Sequence, residues 1–439
     1  MEEVTEHNEP ARRRFISPYR AIDTGLYFFK WIFLAVLTGG LGGAAGSLFA
    51  LVLNGVTDLR QANDWLLWLL PVAGLGIVWS YRVLGQGNHQ GTNLILEAAL
   101  SQEDSAAGVS SVNIPVITGP LIFLATCLTH LTGGSAGREG AALQLGGSLG
   151  TVIGQILRLN SKDRIILVLC GMSAVFSALF GTPLAAAVFS LEVVSVGSMP
   201  YFALLPCLFS SCAGWVVAGR FGLTGLFFSL DAVPALSLSS GVGILGLGVL
   251  CGLLSILFCL TIHTAEQLYR KWFPNPYWRI LVASALLLLL TWLSGTRDYN
   301  GASGILLTQS MAGQAVPWAF ALKLLFTAVT LGGGFKGGEI IPTLCVGAAF
   351  GCLFANLTGL SPSLCAACGM MALFAGVTNC PLATLLLSVE LFGSNGMLYF
   401  ALVIAVSFVF SGYFSLYSSQ RFSFSKYKAV SVNRPANHF

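Results

Sequence analysis

The chain has 439 residues, of which 55% are apolar and only 9% are charged, and its mean hydropathy is +0.79. Soluble domains carry about 25% charged residues, so this composition excludes a soluble protein and indicates a polytopic helical membrane protein. The net charge of +4 matters more for its placement than for its size, and we expect no nucleic acid as a partner.

The apolar runs differ in length. A transmembrane helix needs about 20 apolar residues, and roughly a dozen runs are candidates for spans. Several runs, such as 142–157, 184–196 and 382–392, are too short to cross a membrane alone. Short spans broken by Gly or Pro are typical of half-helices that meet at mid-membrane. The 51 glycines fit this view, because close helix packing and unwound backbone both favour glycine.

Residues 1–29 are predicted to form a cytoplasmic tail ending in a helix on the membrane surface, with Tyr27, Phe28 and Phe29 at the interface. Basic residues flank the apolar region at both ends: Arg12, Arg13, Arg14 and Arg20 before it, and Arg421, Lys426, Lys428 and Arg434 after it. The positive-inside rule therefore places both termini in the cytoplasm, and residues 419–439 form a second tail.

Two breaks in the first half put polar, glycine-rich backbone ahead of an apolar helix. The first is Gly85–Leu100, and a helix that begins at such a break presents free N–H groups and a partial positive charge to an anion. The second is Gly133–Gly150, which contains Arg138 and Glu139 side by side. An ionised residue near mid-bilayer costs about 2.5–3.5 kcal/mol even on lenient insertion scales, so such a residue usually has a function.

The second half of the chain repeats two motifs of the first. Gly333–Gly347 matches Gly133–Gly147 at an offset of 200, which sets Glu339 opposite Glu139. A longer segment starting at Cys170 matches one starting at Cys368 at an offset of 198. Three residue pairs coincide there: Pro183 with Pro381, Ser190 with Ser388, and Glu192 with Glu390. Two offsets this close indicate duplication, with repeats at 30–264 and 280–418 and a hydrophilic connection at 265–279.

The 11 cysteines lie almost entirely within apolar runs, where a small buried hydrophobe is the ordinary interpretation. Cys365 and Cys368 form a C-x-x-C, but no second pair and no nearby His accompany it. We therefore predict no metal site and no cofactor. A membrane-embedded hydrolase using Glu139 as a base is not expected, because neither H-E-x-x-H nor a Ser/His pair accompanies it.

Three loops and a tyrosine resemble the CLC family of chloride channels and proton-coupled anion exchangers. GREGP of that family appears as Gly137-Arg138-Glu139-Gly140-Ala141, GxFxP as Gly338-Glu339-Ile340-Ile341-Pro342, and GSGIP as Gly91-Thr92-Asn93-Leu94-Ile95. Tyr417 resembles the tyrosine near the end of the family's membrane region. The resemblance implies an all-α, CLC-type inverted repeat with broken helices and short re-entrant segments, assembled as a homodimer. It also implies anion contacts from Gly91, Thr92, Asn93, Gly137, Arg138, Gly140, Gly338, Ile340, Ile341 and Tyr417.

The departures from the family pattern are informative. GREGP lacks its Pro, and the third loop carries an acid, Glu339, preceded by Lys336. The family's chloride exchangers keep a second glutamate facing the cytoplasm, and its position, directly after Glu192, is here Val193. This combination resembles the fluoride/proton antiporter branch. In that branch the serine of the first loop is commonly Asn or Met, so either Thr92 or, in a shifted register, Asn93 faces the anion.

The resemblance implies that Glu139 is a protonatable gate that competes with the anion for helix N-terminal N–H groups. Glu339 is either a helix cap or the second acid of the proton route, since the usual internal glutamate is absent. Glu192 and Glu390 are interpreted as packing or interface features.

We expect a fluoride/proton antiporter of a bacterial inner membrane, whose partners are fluoride (or chloride), protons and membrane lipids. The alternatives are a chloride/proton exchanger, favoured by the hydroxyl of Thr92, and a passive anion channel, which also fits the missing internal glutamate.

Overall fold

The computed structural model describes residues 18–86, 91–100, 114–230, 233–235 and 237–437, so Arg12, Arg13 and Arg14 lie outside the described residues. Within these ranges the chain forms sixteen α-helices. The first eight are α1 Pro18–Ala62, α2 Leu70–Val83, α3 Thr92–Leu100, α4 Thr118–Leu131, α5 Glu139–Ile156, α6 Ser161–Phe180, α7 Pro183–Glu192 and α8 Leu204–Arg220. The others are α9 Leu238–Trp272, α10 Pro276–Ser294, α11 Gly304–Met311, α12 Ala319–Gly332, α13 Ile340–Thr358, α14 Pro362–Thr378, α15 Pro381–Phe392 and α16 Met397–Phe410.

The helices fall into two length classes. Of the helices in the described ranges, 7 are long and apolar enough to cross a membrane, and a further set of apolar helices has only 10–17 residues. The short ones include α4 and α7 in the first repeat and α12 and α15 in the second. This confirms the expected all-α membrane fold with broken helices. The centre of the molecule is formed by α6 and α14, whose residues are almost all buried.

Two helices are longer than the sequence analysis expected. The helix α1 begins at Pro18 and continues through the first span, so the expected surface helix is not a separate element. The helix α9 continues to Trp272, so only residues 273–275 separate it from α10, where a connection over 265–279 was expected.

The two repeats are in a register of 201 residues around their glycine-rich loops. The helices α4 and α12 have 14 residues each and end 201 positions apart. Each is followed by a glycine at positive φ, Gly133 at 83° and Gly334 at 104°, a conformation that favours glycine. The next helices begin at Glu139 and Ile340, again 201 positions apart.

The alignment of Glu339 with Glu139 is therefore wrong by one residue. In the structure Glu339 corresponds to Arg138, the residue just before its helix, and Glu139 corresponds to Ile340. The physical reason is that three consecutive glycines, 332–334, precede the second loop, so glycine matches alone do not fix the register. The offset of 198 for α7 and α15 is correct, because α14 has 17 residues where α6 has 20.

Glycines bring α5 into backbone contact with α6 in the first repeat, and α13 into contact with α14 in the second. A Cβ on Gly171 of α6 would overlap the carbonyl of Gly146 on α5, and a Cβ on Gly369 of α14 would overlap the carbonyl of Gly347 on α13. The same close crossing thus occurs in both halves. Packing of this kind lets helices associate inside a membrane, where lipid is as apolar as the side chains.

The helices α7 and α15 cap each other across the repeat interface. The carboxylate of Glu192, at the end of α7, accepts hydrogen bonds from the N–H groups of Leu382 (3.2 Å) and Ala383 (2.8 Å) in the first turn of α15. Glu390 of α15 accepts from the two equivalent N–H groups of α7 at 3.0 and 2.8 Å. Carboxylates are stabilised at helix N-termini, so this contact gives both glutamates a structural role.

A small sheet, which the sequence analysis does not predict, joins the C-terminal segment to the helices. The strand β1 (Ser195–Val196) pairs in parallel with β2 (Arg421–Phe424), which pairs antiparallel with β3 (Ser431–Pro435). Just before β2, the buried Gln420 donates through Nε2 to the carbonyls of Val193 (3.0 Å) and Thr378 (2.8 Å). The C-terminal segment therefore covers the position of the absent internal glutamate.

The reciprocal caps predict a stability effect. Glu192→Ala leaves two N–H groups of α15 without their acceptor, and that of Ala383 is buried. An unsatisfied buried group costs about 1–3 kcal/mol, so the variant should melt at a lower temperature in detergent. Ser190→Ala is the matched control, because the Ser190 hydroxyl donates only within its own helix, to the Ala186 carbonyl at 2.9 Å. Equal melting temperatures for the two variants would contradict the role of the caps.

Candidate functional site

The loops ahead of α5 and α13 meet at the centre of the molecule. The N–H of Gly137 donates to the carbonyl of Gly338, and the N–H of Gly338 donates to the carbonyl of Gly137, both at 2.7 Å. The two helices that follow begin within two residues of this bridge. The first N–H groups of a helix have no intrahelical acceptor and carry a partial positive charge, so two anion-attracting helix ends converge here.

The Glu139 carboxylate lies at these converging helix ends. The side chain is fully buried, and its Oε2 accepts from the backbone N–H of Arg138 at 3.0 Å. The N–H groups of Glu139 itself and of Ile341, in the first turn of α13, also face the carboxylate. Its other oxygen, Oε1, has no hydrogen bond, although the Arg138 Nε is 3.5 Å away. The carboxylate thus occupies a position in which a bound anion would meet N–H groups from both repeats.

The Arg138 guanidinium forms an ion pair with Glu139 through Nε, and its two terminal nitrogens turn away from the bridge. Its Nη1 donates to Asn54 Oδ1 of α1 at 3.5 Å, and its Nη2 donates to the carbonyl of Leu179 in α6 at 3.4 Å. The backbone N–H of Arg138, not its guanidinium, donates to Glu139. This geometry favours an anchoring role for the side chain.

Glu339 lies on the other side of the bridge and is only partly exposed. It occupies the residue just before α13, yet its side chain caps no N–H group of the helix. This contradicts the capping interpretation. Its Oε2 is buried without a hydrogen-bond partner and lies against Gly140, where a Cβ would be 3.1 Å away. The neighbouring Lys336 places its Nζ over the Tyr81 ring, 4.7 Å from the centroid. Among the described residues, no carboxylate lies within ion-pair distance of this Nζ.

A cavity of about 460 Å³, which we name the tyrosine cavity, contains several of the predicted site residues. Its lining includes Gly91, Thr92, Asn93, Gly337, Glu339 and Tyr417. Tyr417 is 2% exposed, and its hydroxyl has no hydrogen-bond partner. The fold therefore brings predicted site residues from three separate segments together at one cavity.

Thr92 and Asn93 have different neighbours in this cavity. The Thr92 hydroxyl donates to the Gly140 carbonyl and accepts from Gln144 Nε2, both at 3.4 Å. The Asn93 Oδ1 accepts from the backbone N–H of Ser419 at 3.3 Å and so holds the segment after the tyrosine. Thr92 therefore contacts α5, whereas Asn93 contacts the segment after Tyr417.

A second cavity, of about 530 Å³, lies next to Arg138 and Ile341; we name it the arginine cavity. Arg60, Arg297 and His130 also line it. His130 is buried, and its Nε2 lies 3.3 Å from the Gly137 carbonyl. Because a carbonyl only accepts, Nε2 carries the proton and donates. Glu139 lines neither cavity. It lies between Arg138 and Ile341, which line the arginine cavity, and Gly337 and Glu339, which line the tyrosine cavity.

Two buried residues near the bridge were missed by the sequence analysis, His130 and Lys323. Lys323 of α12 is fully buried, and its Nζ donates to Ser135 in the loop ahead of α5. A usable signal existed, since Lys323 is the one charged residue between 317 and 332 in an otherwise apolar run. An ionisable residue inside a membrane span is a functional candidate.

Three buried polar atoms around the bridge have no hydrogen-bond partner: Glu139 Oε1, Glu339 Oε2 and the Tyr417 hydroxyl. A buried polar group without a partner costs free energy, and such groups are uncommon in folded proteins. A proton on either carboxylate would remove its buried charge, and an anion beside the Tyr417 hydroxyl would accept the hydroxyl proton. In the described part of the chain, no group of three His, Cys, Asp or Glu side chains is placed to hold a metal.

Comparison with known proteins gives consistent matches. A family model described as voltage gated chloride channel matches residues 73–412. The chain is 33% identical over 412 residues to the chloride/fluoride channel protein of Pseudomonas syringae pv. tomato, covering 92% of this chain and 89% of that protein. It is 27% identical over 402 residues to the H(+)/Cl(-) exchange transporter ClcA of Vibrio cholerae, covering 83% and 82%. The crystal structure of a CLC-type fluoride/proton antiporter superposes with a TM-score of 0.84 at 30% identity, covering 93% of this chain and 100% of that one.

Proposed function

The chain belongs to the voltage-gated chloride channel (CLC) family, and from that premise we propose that it exports fluoride from the cell in exchange for protons. The protein is an integral, multi-pass membrane protein of anion transport. The observation that carries the proposal is the position of the Glu139 carboxylate, which faces the N–H groups that would otherwise donate to an anion. A carboxylate that leaves when it is protonated links proton movement to anion movement.

The proposed cycle follows from competition for the same N–H groups. Ionised Glu139 fills the site between α5 and α13 and excludes the anion. Protonation removes the negative charge and weakens its hold on the helix ends, so the side chain swings away and fluoride enters. The site offers N–H groups and helix dipoles, which replace part of the anion's hydration yet release it again.

Glu339 is proposed as the second acid of the proton route. Its unpartnered Oε2 lies against Gly140, the residue after Glu139, and its side chain also lines the tyrosine cavity. It can therefore take a proton at one side of the bridge and face the gate at the other. Tyr417 lies within electrostatic reach of both acids.

The orientation follows from the positive-inside rule. With both termini cytoplasmic, the tyrosine cavity opens inward and the arginine cavity opens outward. HF enters a cell as a neutral acid and dissociates in the neutral cytoplasm, so expulsion of fluoride driven by inward protons benefits a bacterium at its inner membrane. As in the family it resembles, we propose a homodimer in membrane lipid with one pathway in each subunit.

Fluoride is favoured over chloride by two relatives of at least 30% identity whose names refer to fluoride. A chloride/proton exchanger is the second candidate, favoured by the hydroxyl of Thr92 at the first loop and by the similarity to the Vibrio cholerae exchanger. Val193 at the internal glutamate position disfavours it.

Flux measurements on wild-type protein in liposomes test the assignment. We expect a fluoride gradient to drive protons uphill, detected with a pH-sensitive dye, and a chloride gradient of equal size to drive few or none. Equal proton pumping by chloride would replace the proposal with the chloride exchanger. Anion flux without proton movement would identify a passive channel.

Glu139→Gln should abolish proton transport while fluoride still passes, because the amide is neutral and cannot carry a proton; positioned proton carriers typically contribute at least about 100-fold. Simultaneous fluoride-electrode and pH recordings measure both fluxes. Glu192→Gln, at a buried glutamate away from the bridge, is the control and should stay coupled. Unchanged proton antiport in Glu139→Gln would remove the gate assignment.

Glu339→Gln should lower proton-coupled fluoride flux at least about tenfold per folded protein, because the second proton carrier is lost. Glu97→Gln is the matched control, since Glu97 lines the same cavity but its Oε1 accepts from the Ser419 hydroxyl at 2.8 Å. We expect it to keep coupled flux near the wild-type rate. Equal losses in the two variants would mean that Glu339 has no special part in the proton route.

A further inference from the structure

Lys323 is a fully buried cation in the middle of the fold. Its Nζ donates to the Ser135 hydroxyl at 2.8 Å and to the carbonyls of Gly301 at 2.8 Å and Tyr299 at 3.2 Å. Among the described residues, no carboxylate lies within 4 Å of it. The lysine is thus saturated with hydrogen bonds but is not paired with an acid.

The hydrogen-bond pattern favours the charged form of Lys323. The Thr327 hydroxyl donates to the Lys323 carbonyl at 2.9 Å, so it can only accept from the Ser135 hydroxyl at 3.2 Å. The single proton of Ser135 is used in that bond, and its oxygen must accept from Nζ. Two carbonyls also only accept, so Nζ donates three protons, which an ammonium has and a neutral amine does not.

This charge lies directly behind the loop that carries Glu139. Ser135, its hydroxyl partner, is two residues before Gly137, which forms the bridge. The other side of the lysine holds the 299–301 segment, and the N–H of Gly301 in turn donates to the Gly134 carbonyl at 3.1 Å. Lys323 therefore fixes the loop from two directions.

Lys323 also lies near the Gly137–Gly338 bridge. His130, whose Nε2 donates to the Gly137 carbonyl of the bridge at 3.3 Å, is within electrostatic reach of Lys323. Salt screens buried charges much less than exposed ones, so this ammonium acts on the polar groups of the loop ahead of α5. Burial of an unpaired charge is costly, and a methionine of similar size would avoid that cost. The retained charge therefore calls for a function.

We propose that Lys323 is a positioning residue that supplies a fixed positive charge, holds the Ser135–Glu139 loop, and sets the affinity of the pathway for its anion. The proposal rests on the proposed function only in taking a small inorganic anion as the transported ligand, whether that ion is fluoride or chloride. A purely mechanical role would preserve affinity and affect only folding or turnover.

The test compares three variants in the liposome assay over a range of fluoride concentrations. Lys323→Met should raise KM about tenfold, equivalent to about 1.4 kcal/mol, because the charge is lost while most of the volume is kept. Lys323→Arg keeps the charge and should remain within about threefold of the wild-type KM. Thr327→Val is the matched control, because it removes a buried hydroxyl from the same Ser135 network without changing charge, so its KM should be unchanged.

A wild-type KM in Lys323→Met, or equal KM values in Lys323→Met and Thr327→Val, would overturn the proposal. If the methionine variant does not fold, Lys323→Gln keeps two of the donors without the charge and should show the same rise in KM. The same series measured with chloride separates the two claims. A wild type that couples chloride to protons, with the same dependence on Lys323, would end the fluoride assignment and leave the role of Lys323 intact.

Discussion

Two backbone hydrogen bonds between Gly137 and Gly338 determine the geometry of the whole site. They fix the distance between the N-terminal ends of α5 and α13, and a Cβ on Gly140 would be only 2.9 Å from the Gly338 Cα. Because the loops approach so closely, N–H groups from both repeats face the one carboxylate of Glu139. The inverted repeat thus brings the N-terminal ends of two helices to one position.

Buried polar groups in this protein fall into two kinds. Glu192, Glu390 and Lys323 have all or most of their hydrogen bonds satisfied by backbone or hydroxyl partners, and this is typical of groups that hold a structure together. Glu139 and Tyr417 each keep one unpartnered atom beside the bridge. Unpartnered polar atoms are tolerated where a transient ligand completes them. This difference, more than burial itself, separates the residues that we propose to move ions from those that we propose to hold the structure in place.

The sequence predicts the fold class, the duplication and the loops of the site, because each depends on local patterns of glycine, charge and apolar length. It does not predict the register of the second loop, since a run of three glycines allows Glu339 to align equally well with Glu139 and with Arg138. The role of Lys323 depends on Ser135 and Gly301, which lie far away in the chain and meet it only in the folded protein. Pairing of β1 with β2 likewise joins residues more than 200 positions apart.

The contacts of the C-terminal segment support the proposal that Glu339 is the second acid of the proton route. Val193 is fully buried, and its carbonyl accepts from Gln420, while β2 pairs with the strand that follows Val193. A proton carrier at this position would therefore be enclosed by the C-terminal segment and cut off from water. The tyrosine cavity reaches the bridge by another direction, through Thr92, Glu339 and Tyr417. An acid that lines this cavity and also contacts Gly140 can replace the lost glutamate without opening the interface between the repeats.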